Sequence, residues 1–441
     1  MPEIPEIGEL IRQACKARGW GPTKLARELG IAEGRGPHGL DRQSARRWMA
    51  GRRTPVYWLP YIVDVLGLDA ESVQAVQSVG PTGADVDTVA SVLELGRSDV
   101  LRRNFLAATS AYALAALNLP DPESITRRVN RTGAVRVGIG EVAAIRQMTK
   151  TLGDAAAELG GGHARHLAVR YLTEDVGPWL EGAYTERIGR ALFAETSQLV
   201  HLAGWMAQDE GNEGLAQRYY AHAYRLAAEA GESELAATAL RGLAVQAIEL
   251  GPRYHAVALR LSERCVEEAQ TLDDPRAVSY YQTTLADAAA LDGDRRLATR
   301  ALAASQTAIE KMPDAPPGDS WASHFSIGRW AHHSGMILSR LGDMDGATVH
   351  LHQALEIHGL DRRRSRAIVL ADLGQVQLRQ GDLDAALSTW TAFLDCAEGI
   401  RSVKITEATN GMHVRLDRYR HVPEVQEVRQ RAEVLLPAQD V

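Results

Sequence analysis

Hydrophobic residues return every three to four positions through most of the chain, so the elements they predict are helices. Between Ile7 and Arg18 the apolar positions are Ile7, Leu10, Ile11 and Ala14, and Gly19 ends the run. "PTKLARELG" is a second short helix, opened by Pro22 and closed by Gly30. The stretch "IAEGRGPHGL" separates it from "DRQSARRWM", where Asp41 is placed to cap a third helix and Gly51 to end it. Leu59, Ile62, Val63 and Leu66 then make a core stripe. Residues 77–98 read as a polar connector with a short helical piece. An apolar helix follows, carrying Phe105, Leu106, Tyr112, Leu114 and Leu117.

From about Leu199 one pattern recurs. "AGWMAQDEGNEGLAQRYYAHAYRLA" places Gly204, Gly211, Ala216, Tyr220 and Ala223; "LADAAALDGDRRLATRALAAS" places Leu285, Ala286, Gly293, Ala298, Leu302 and Ser305 at matching offsets. Two more units centre on Gly342 and Gly381, and a degenerate one on Gly251. The five glycines are spaced by 40, 42, 49 and 39 residues, and the longest interval contains the proline-rich "KMPDAPPGD". Gly-Asp recurs at 293–294, 342–343 and 381–382. Small residues let paired helices cross closely, and the glycine supplies a tight link. Each unit buries its face only on its neighbours, so stacked units build a curved solenoid. The pattern resembles the tetratricopeptide repeat, whose minimal period is about 34 residues. Residues 135–198 read as helices leading into the array, and 401–436 as a closing helical pair.

The fold class is therefore all-α. The expected domains are 1–76, a helix-turn-helix domain; 77–134, a linker with one apolar helix; 135–400, the repeats; and 401–441, capping helices. Composition agrees. Hydrophobic residues make up 45% and charged residues 24%, which suits buried cores and excludes a mostly disordered chain. Cys15, Cys265 and Cys396 are too scattered for a disulfide framework or a zinc knuckle, and a reducing cytoplasm fits them. No apolar run is long enough to span a membrane. The net charge of −7 is uneven: residues 1–55 carry eleven Lys/Arg against six Asp/Glu, a net of +5, which leaves −12 for the rest. A basic head on an acidic body suggests a nucleic-acid module joined to a regulatory one.

Five arginines fall within residues 41–53 against one acid, on and just after a short third helix. Arg pairs bidentately with guanine and Gln with adenine, so a helix carrying Arg42, Gln43, Arg46 and Arg47 suits DNA. Ser44, Arg52 and Arg53 suit phosphates. "KLARELG … DRQSARRWMAGRRTP … LPYIVDVLGL" resembles the lambda-repressor-like helix-turn-helix of the Xre family. The resemblance implies double-stranded DNA as a partner, puts Arg42, Gln43 and Arg47 where the family reads bases, and puts Leu25, Ala26, Ala45 and Trp48 in the core. The whole chain resembles peptide-sensing regulators of Gram-positive bacteria and their actinobacterial relatives. That likeness implies a homodimer gated by a peptide, small-molecule or protein effector. In that family asparagines on the inner helices clamp the peptide backbone; this array has only Asn212 and Asn410.

Counting back from each turn glycine, the concave face should present Gln198, His201, Trp205, Arg241, Tyr280, Asp287, Arg329, His332, Met336, Arg340 and Gln375. Mixed cations, aromatics and amides of this kind make a ligand groove. Two motifs are decoys. "RRNFL" at 102–106 mimics a twin-arginine export signal, yet a DNA-binding head precedes it. "VRVGIGEVAAIRQ" mimics a dinucleotide fingerprint without the strand–helix alternation that such a site needs. His350-x-His352 and His163-x-x-His166 lack accompanying ligands, so no metal is expected. No nucleophile triad, phosphate loop or acid pair stands out, and neither an enzyme nor a cofactor is expected. The expected function is a cytoplasmic DNA-binding regulator with an effector-sensing array. The alternative is a protein-binding scaffold anchored to DNA.

Overall fold

The computed structural model describes residues 7–32, 40, 42–49, 62, 65–68, 88–101, 135–314, 316–318, 320–357, 363–433 and 435. The chain divides into two compact units, one of residues 1–87 with 109–120, the other of residues 88–108 with 121–441. Apart from one isolated bridge between Arg136 and Ala183, the described residues form helices and their connections.

In the smaller unit, α1 (Ile7–Ala17), α2 (Pro22–Ala32) and α3 (Arg42–Met49) close around Ile11, Cys15, Leu25, Ala26, Leu29, Ala45, Trp48, Ile62 and Leu66. Leu25, Ala26, Ala45 and Trp48 are thus all buried. The Arg12 guanidinium donates to the Met49 carbonyl at 3.1 Å, serving an orphan acceptor at the end of α3. Gly19 turns the chain after α1 at φ +64°. Gly30 does not end α2, which runs on to Ala32. Gly30 keeps an ordinary φ there, and a helical glycine costs only about 1 kcal/mol. Asp41, Gly51, Leu59, Val63 and the whole RRNFL stretch lie outside the described residues.

The larger unit begins with α4 (Thr88–Leu101), the helical piece expected within the connector. α4 is held to the array through Asp99, which takes the Arg165 guanidinium at 2.5 Å and the Tyr219 hydroxyl at 2.8 Å. Next come α5 (Ile139–Leu159), α6 (Arg165–Tyr171) and the short α7 (Gly177–Leu180). Six helix pairs follow: α8/α9 (Glu186–Asp209, Glu213–Ala230), α10/α11 (Ser233–Glu249, His255–Glu268) and α12/α13 (Pro275–Asp292, Arg295–Ile309). The others are α14/α15 (Ile327–Leu341, Met344–Ile357), α16/α17 (Arg363–Gln380, Leu383–Ala397) and α18/α19 (Val403–Leu416, Pro423–Glu433).

The Gly-Asp signature has a physical cause. Gly293, Gly342 and Gly381 take φ of +93°, +92° and +91°, which closes the first helix of each pair in the left-handed region. The following aspartate then caps the second helix. Asp294 accepts from the Leu297 N–H at 2.8 Å, Asp343 from Gly346 and Asp382 from Ala385, both at 2.9 Å. Small residues sit where the helices cross. A Cβ on Gly242 would come within 2.7 Å of the Tyr220 ring, one on Gly335 within 2.8 Å of Leu351, and one on Gly374 within 2.5 Å of the Trp390 indole.

The two ends of the array meet. α5 packs on both α8 and α16. The Arg401 N–H donates to the Leu159 carbonyl at 3.0 Å. Buried Asp209 accepts from the Gly161 N–H at 2.9 Å and the Ser402 hydroxyl at 2.7 Å, and it pairs with Arg364. The 401–436 pair is therefore more than an end cap, because it seals the last layer onto the first.

Candidate functional site

The inner helices α10, α12, α14 and α16 face α18 across a cavity of about 350 Å³. Arg241, Asp287, His332, Met336, Arg340 and Gln375 line it, six of the eleven positions counted from the turn glycines. Asp287 pairs with Arg340. Burial pushes the Arg340 guanidinium below its usual range, although Asp372 and Glu249 oppose the shift. The His332 Nε2 lies 2.8 Å from Asp372. Lys404 bridges Glu249 at 3.2 Å and Glu407 at 3.3 Å. Burial works against the Lys404 charge, yet these two carboxylates outweigh it and its pKa is raised. Val245, Ile248, Ile368, Trp390 and Met412 supply apolar wall.

Two lining arginines stand apart. The Arg241 guanidinium lies 3.8 Å from the Tyr280 ring centroid. Its Nε is buried and has no hydrogen-bond partner among the described residues. Arg415 folds back along α18, its Nη1 only 2.6 Å from where a Cβ on Gly411 would stand. Neither forms an ion pair among the described residues.

The other five counted positions are placed elsewhere. The proline-rich segment after α13, expected as a loop that lengthens one repeat, turns inward. Its Trp321 donates to the Tyr280 hydroxyl at 3.0 Å and packs on Trp205 and His201, with ring centroids 6.1 and 5.6 Å apart. Ser320 hydrogen-bonds Glu234 on α10. Tyr280 and His201 are consequently buried. Burial, helped by the Arg241 charge, lowers the His201 pKa to about 3. Trp205 sits under Arg364 at 5.0 Å, Arg329 lies 6.0 Å from the Tyr280 ring, and Gln198 donates to Glu195 at 3.2 Å. Sequence reasoning missed Lys404, Glu407 and Arg415. Their signal was the spacing Lys404, Glu407, Gly411, Arg415, which puts all four on one helix face.

On the smaller unit, α3 turns Ala45 and Trp48 into the core and leaves Arg42, Gln43 and Arg46 exposed, with Ser44 half-buried. Arg47 lies on the same helix, but its side chain, like Arg52 and Arg53, is outside the described residues.

The fingerprint-like "VRVGIGEVAAIRQ" opens α5, where Glu141 accepts from the Gly138 N–H at 2.8 Å. Among the described residues no group of three or more His, Cys, Asp or Glu could hold a metal ion, and no helix is long and apolar enough to cross a membrane. The family model for the tetratricopeptide repeat matches residues 326–389, from the cap of α14 into α17. No curated protein matches the chain. The chain is thus an all-α protein with a tetratricopeptide-like repeat region, an architecture that suggests a role in protein–protein interaction.

Proposed function

We propose that this protein is a DNA-binding transcriptional regulator whose repeat array senses an effector. The observation that carries the reading is α3. A compact helical core closed by Ala45 and Trp48 leaves Arg42, Gln43 and Arg46 together on the outside of a short helix. A surface of that kind suits the major groove, as the Xre-like helix-turn-helix resemblance implies. Arg42, Gln43 and Arg47 would read bases, Arg46 would add to the DNA-facing charge, and Ser44, Arg52 and Arg53 would hold phosphates. The lined cavity of the array supports the sensing half of the reading, with dimerisation through the same array. Residues 1–76 would form the DNA-binding domain, 77–134 the linker, 135–400 the sensor and 401–441 its cap.

The test is binding of the full chain to an operator selected from random duplexes. Affinity should fall steeply with salt, because arginine–phosphate contacts release counterions. Arg42→Ala or Gln43→Ala should cost roughly 1–3 kcal/mol on the operator and little on random duplex. Arg53→Ala should weaken both alike. Equal losses for all three on both duplexes would reject the base readers. The repeat match over 326–389 favours a second reading, a scaffold that binds a partner protein on the array. A stable complex with a second protein and no effector response in DNA binding would select it.

A further inference from the structure

We infer that the cavity between α10 and α18 takes a small amphiphilic anion, its head group held by Arg241 and Arg415, in place of an extended chain. The inference deepens the effector-sensing reading and rests on it for what binding would do to DNA affinity.

The charges of the wall come first. Each lining carboxylate lies against a basic side chain: Asp287 against Arg340, Asp372 against His332, which is charged only when protonated, and Glu249 and Glu407 against the one Lys404. The two cations left over are Arg241 and Arg415. A guanidinium cannot shed its proton; Arg241 is half-buried with its Nε unpartnered among the described residues, whereas Arg415 is exposed at the rim. The lining is balanced in formal charge, four carboxylates against four permanent cations, but two guanidiniums have no carboxylate against them among the described residues, and their forked donors suit a head group with more than one acceptor oxygen. Arg241 is also the better prepared of the two. Stacked 3.8 Å from Tyr280, its planar fork is fixed before any ligand arrives.

The rest of the wall describes the rest of the ligand. Val245, Ile248, Met336, Ile368, Trp390 and Met412 give an apolar surface on which methionines can adapt their shape. Size then limits the occupant. A cavity of about 350 Å³ lies at the lower end of small-molecule sites. On one side α18 closes it through Lys404 and Glu249. On the other, Tyr280 is shared: its ring supports Arg241 and its hydroxyl holds Trp321, so the inward segment borders the site. A peptide running along the inner face would have to displace Trp321 or α18.

A carboxylate and a phosphate head share this chemistry, and the probes separate them. Octanoate, octyl phosphate, octanol and octylammonium are titrated into the full chain by calorimetry, with thermal unfolding alongside. One or both anions should bind and raise Tm, and octanol and octylammonium should bind at least about tenfold more weakly. Arg241→Met and Arg415→Met should each weaken the anion about tenfold or more. Gly411→Ala should do the same, since its new Cβ displaces Arg415. Without a probe, Arg241→Met should unfold close to the wild-type temperature, because loss of the stacking on Tyr280 is offset by removal of a buried Nε that lacked an acceptor. A guanidinium with a purely structural role would lower Tm on removal. The inference is overturned if neither anion binds better than octanol, or if the Arg415→Met and Gly411→Ala proteins bind like wild type. Anion binding that leaves operator affinity unchanged sinks the sensing reading and keeps this one. A peptide that shifts operator affinity while both anions fail does the reverse.

Discussion

Single residues in this protein are fixed by how little room they have. Trp390, 1% exposed, donates to the Ala371 carbonyl at 3.2 Å across the space that a side chain on Gly374 would fill. Tyr220 likewise lies against Gly204 and Gly242 and donates to Gln208 at 2.7 Å. His201 lies beside that ring, with its Nδ1 unpartnered among the described residues and its pKa lowered to about 3. The sign of the consequence follows from its ordinary value of 6.5. Between pH 6.5 and about 3 the unfolded chain binds a proton at this position and the folded chain does not. Stability from His201 is therefore complete above pH 6.5 and is lost as pH falls through that window, by about 1.4 kcal/mol per unit. His222, also lowered to about 3, adds in the same sense. Glu213, pushed up to about 7 mainly by burial, acts in the opposite sense. Comparison with His201→Phe cancels both. From pH 7.5 to 5, wild type should lose about 2 kcal/mol more than the variant in denaturant titrations. Parallel losses would mean that His201 takes up its proton without unfolding.

At the level of elements, what could be read from the sequence is what local chemistry alone decides. The turn glycines at 211, 251, 293, 342 and 381 all have positive φ, and the Gly-Asp pairs are a left-handed closure followed by a cap. Both depend on residues within one turn, so they survive the loss of all tertiary information. The inward positions were half legible for a different reason. Counting from a turn glycine gives the face of a helix, and Arg241, Asp287, His332, Met336, Arg340 and Gln375 follow from that face. What covers the face depends on chain far away in sequence. No periodicity in "KMPDAPPGDSW" announces that Trp321 folds inward onto His201, Trp205 and Tyr280, or that α18 forms a wall of the cavity. The inward segment is held by that half-buried indole and by Phe325, fully buried with its ring centroid 5.1 Å from that of Tyr280, with Ser320 on Glu234 and the Pro313 carbonyl on Arg276 as further ties. Trp321→Ala should therefore cost about 1–2 kcal/mol, less than a fully buried Trp, and make the segment more open to cleavage after Lys311 under limited trypsin treatment. A variant as resistant as wild type would show that Phe325 and the polar ties suffice.

Across the whole repeat unit, stability should depart from that of an open array. Stacked repeats interact with nearest neighbours only, so terminal pairs fray independently. Here Asp209 at the end of α8 joins Gly161, Arg364 on α16 and Ser402 at the start of α18, linking positions up to 193 residues apart. The carboxylate is 3% exposed, and the Arg364 side chain facing it is only 12% exposed. A buried charge that loses its partner is strongly destabilising, about 3–5 kcal/mol, because the remaining ion stays desolvated. Asp209→Ala should therefore do more than lower global stability. It unlinks the last layers from the first, so α16 to α19 should open in a separate, lower-energy step. Native-state hydrogen exchange would then show protection falling in α16–α19 while α9 to α13 retain the higher value. The cavity should suffer as well. Its α18 wall is held by Lys404 on Glu249, two residues beyond the Ser402 contact, and a loosened α18 would carry Lys404, Glu407 and Arg415 with it. A uniform drop in protection along the whole array would instead mean that nearest-neighbour stacking alone makes the unit cooperative, with the closing network adding energy but no linkage.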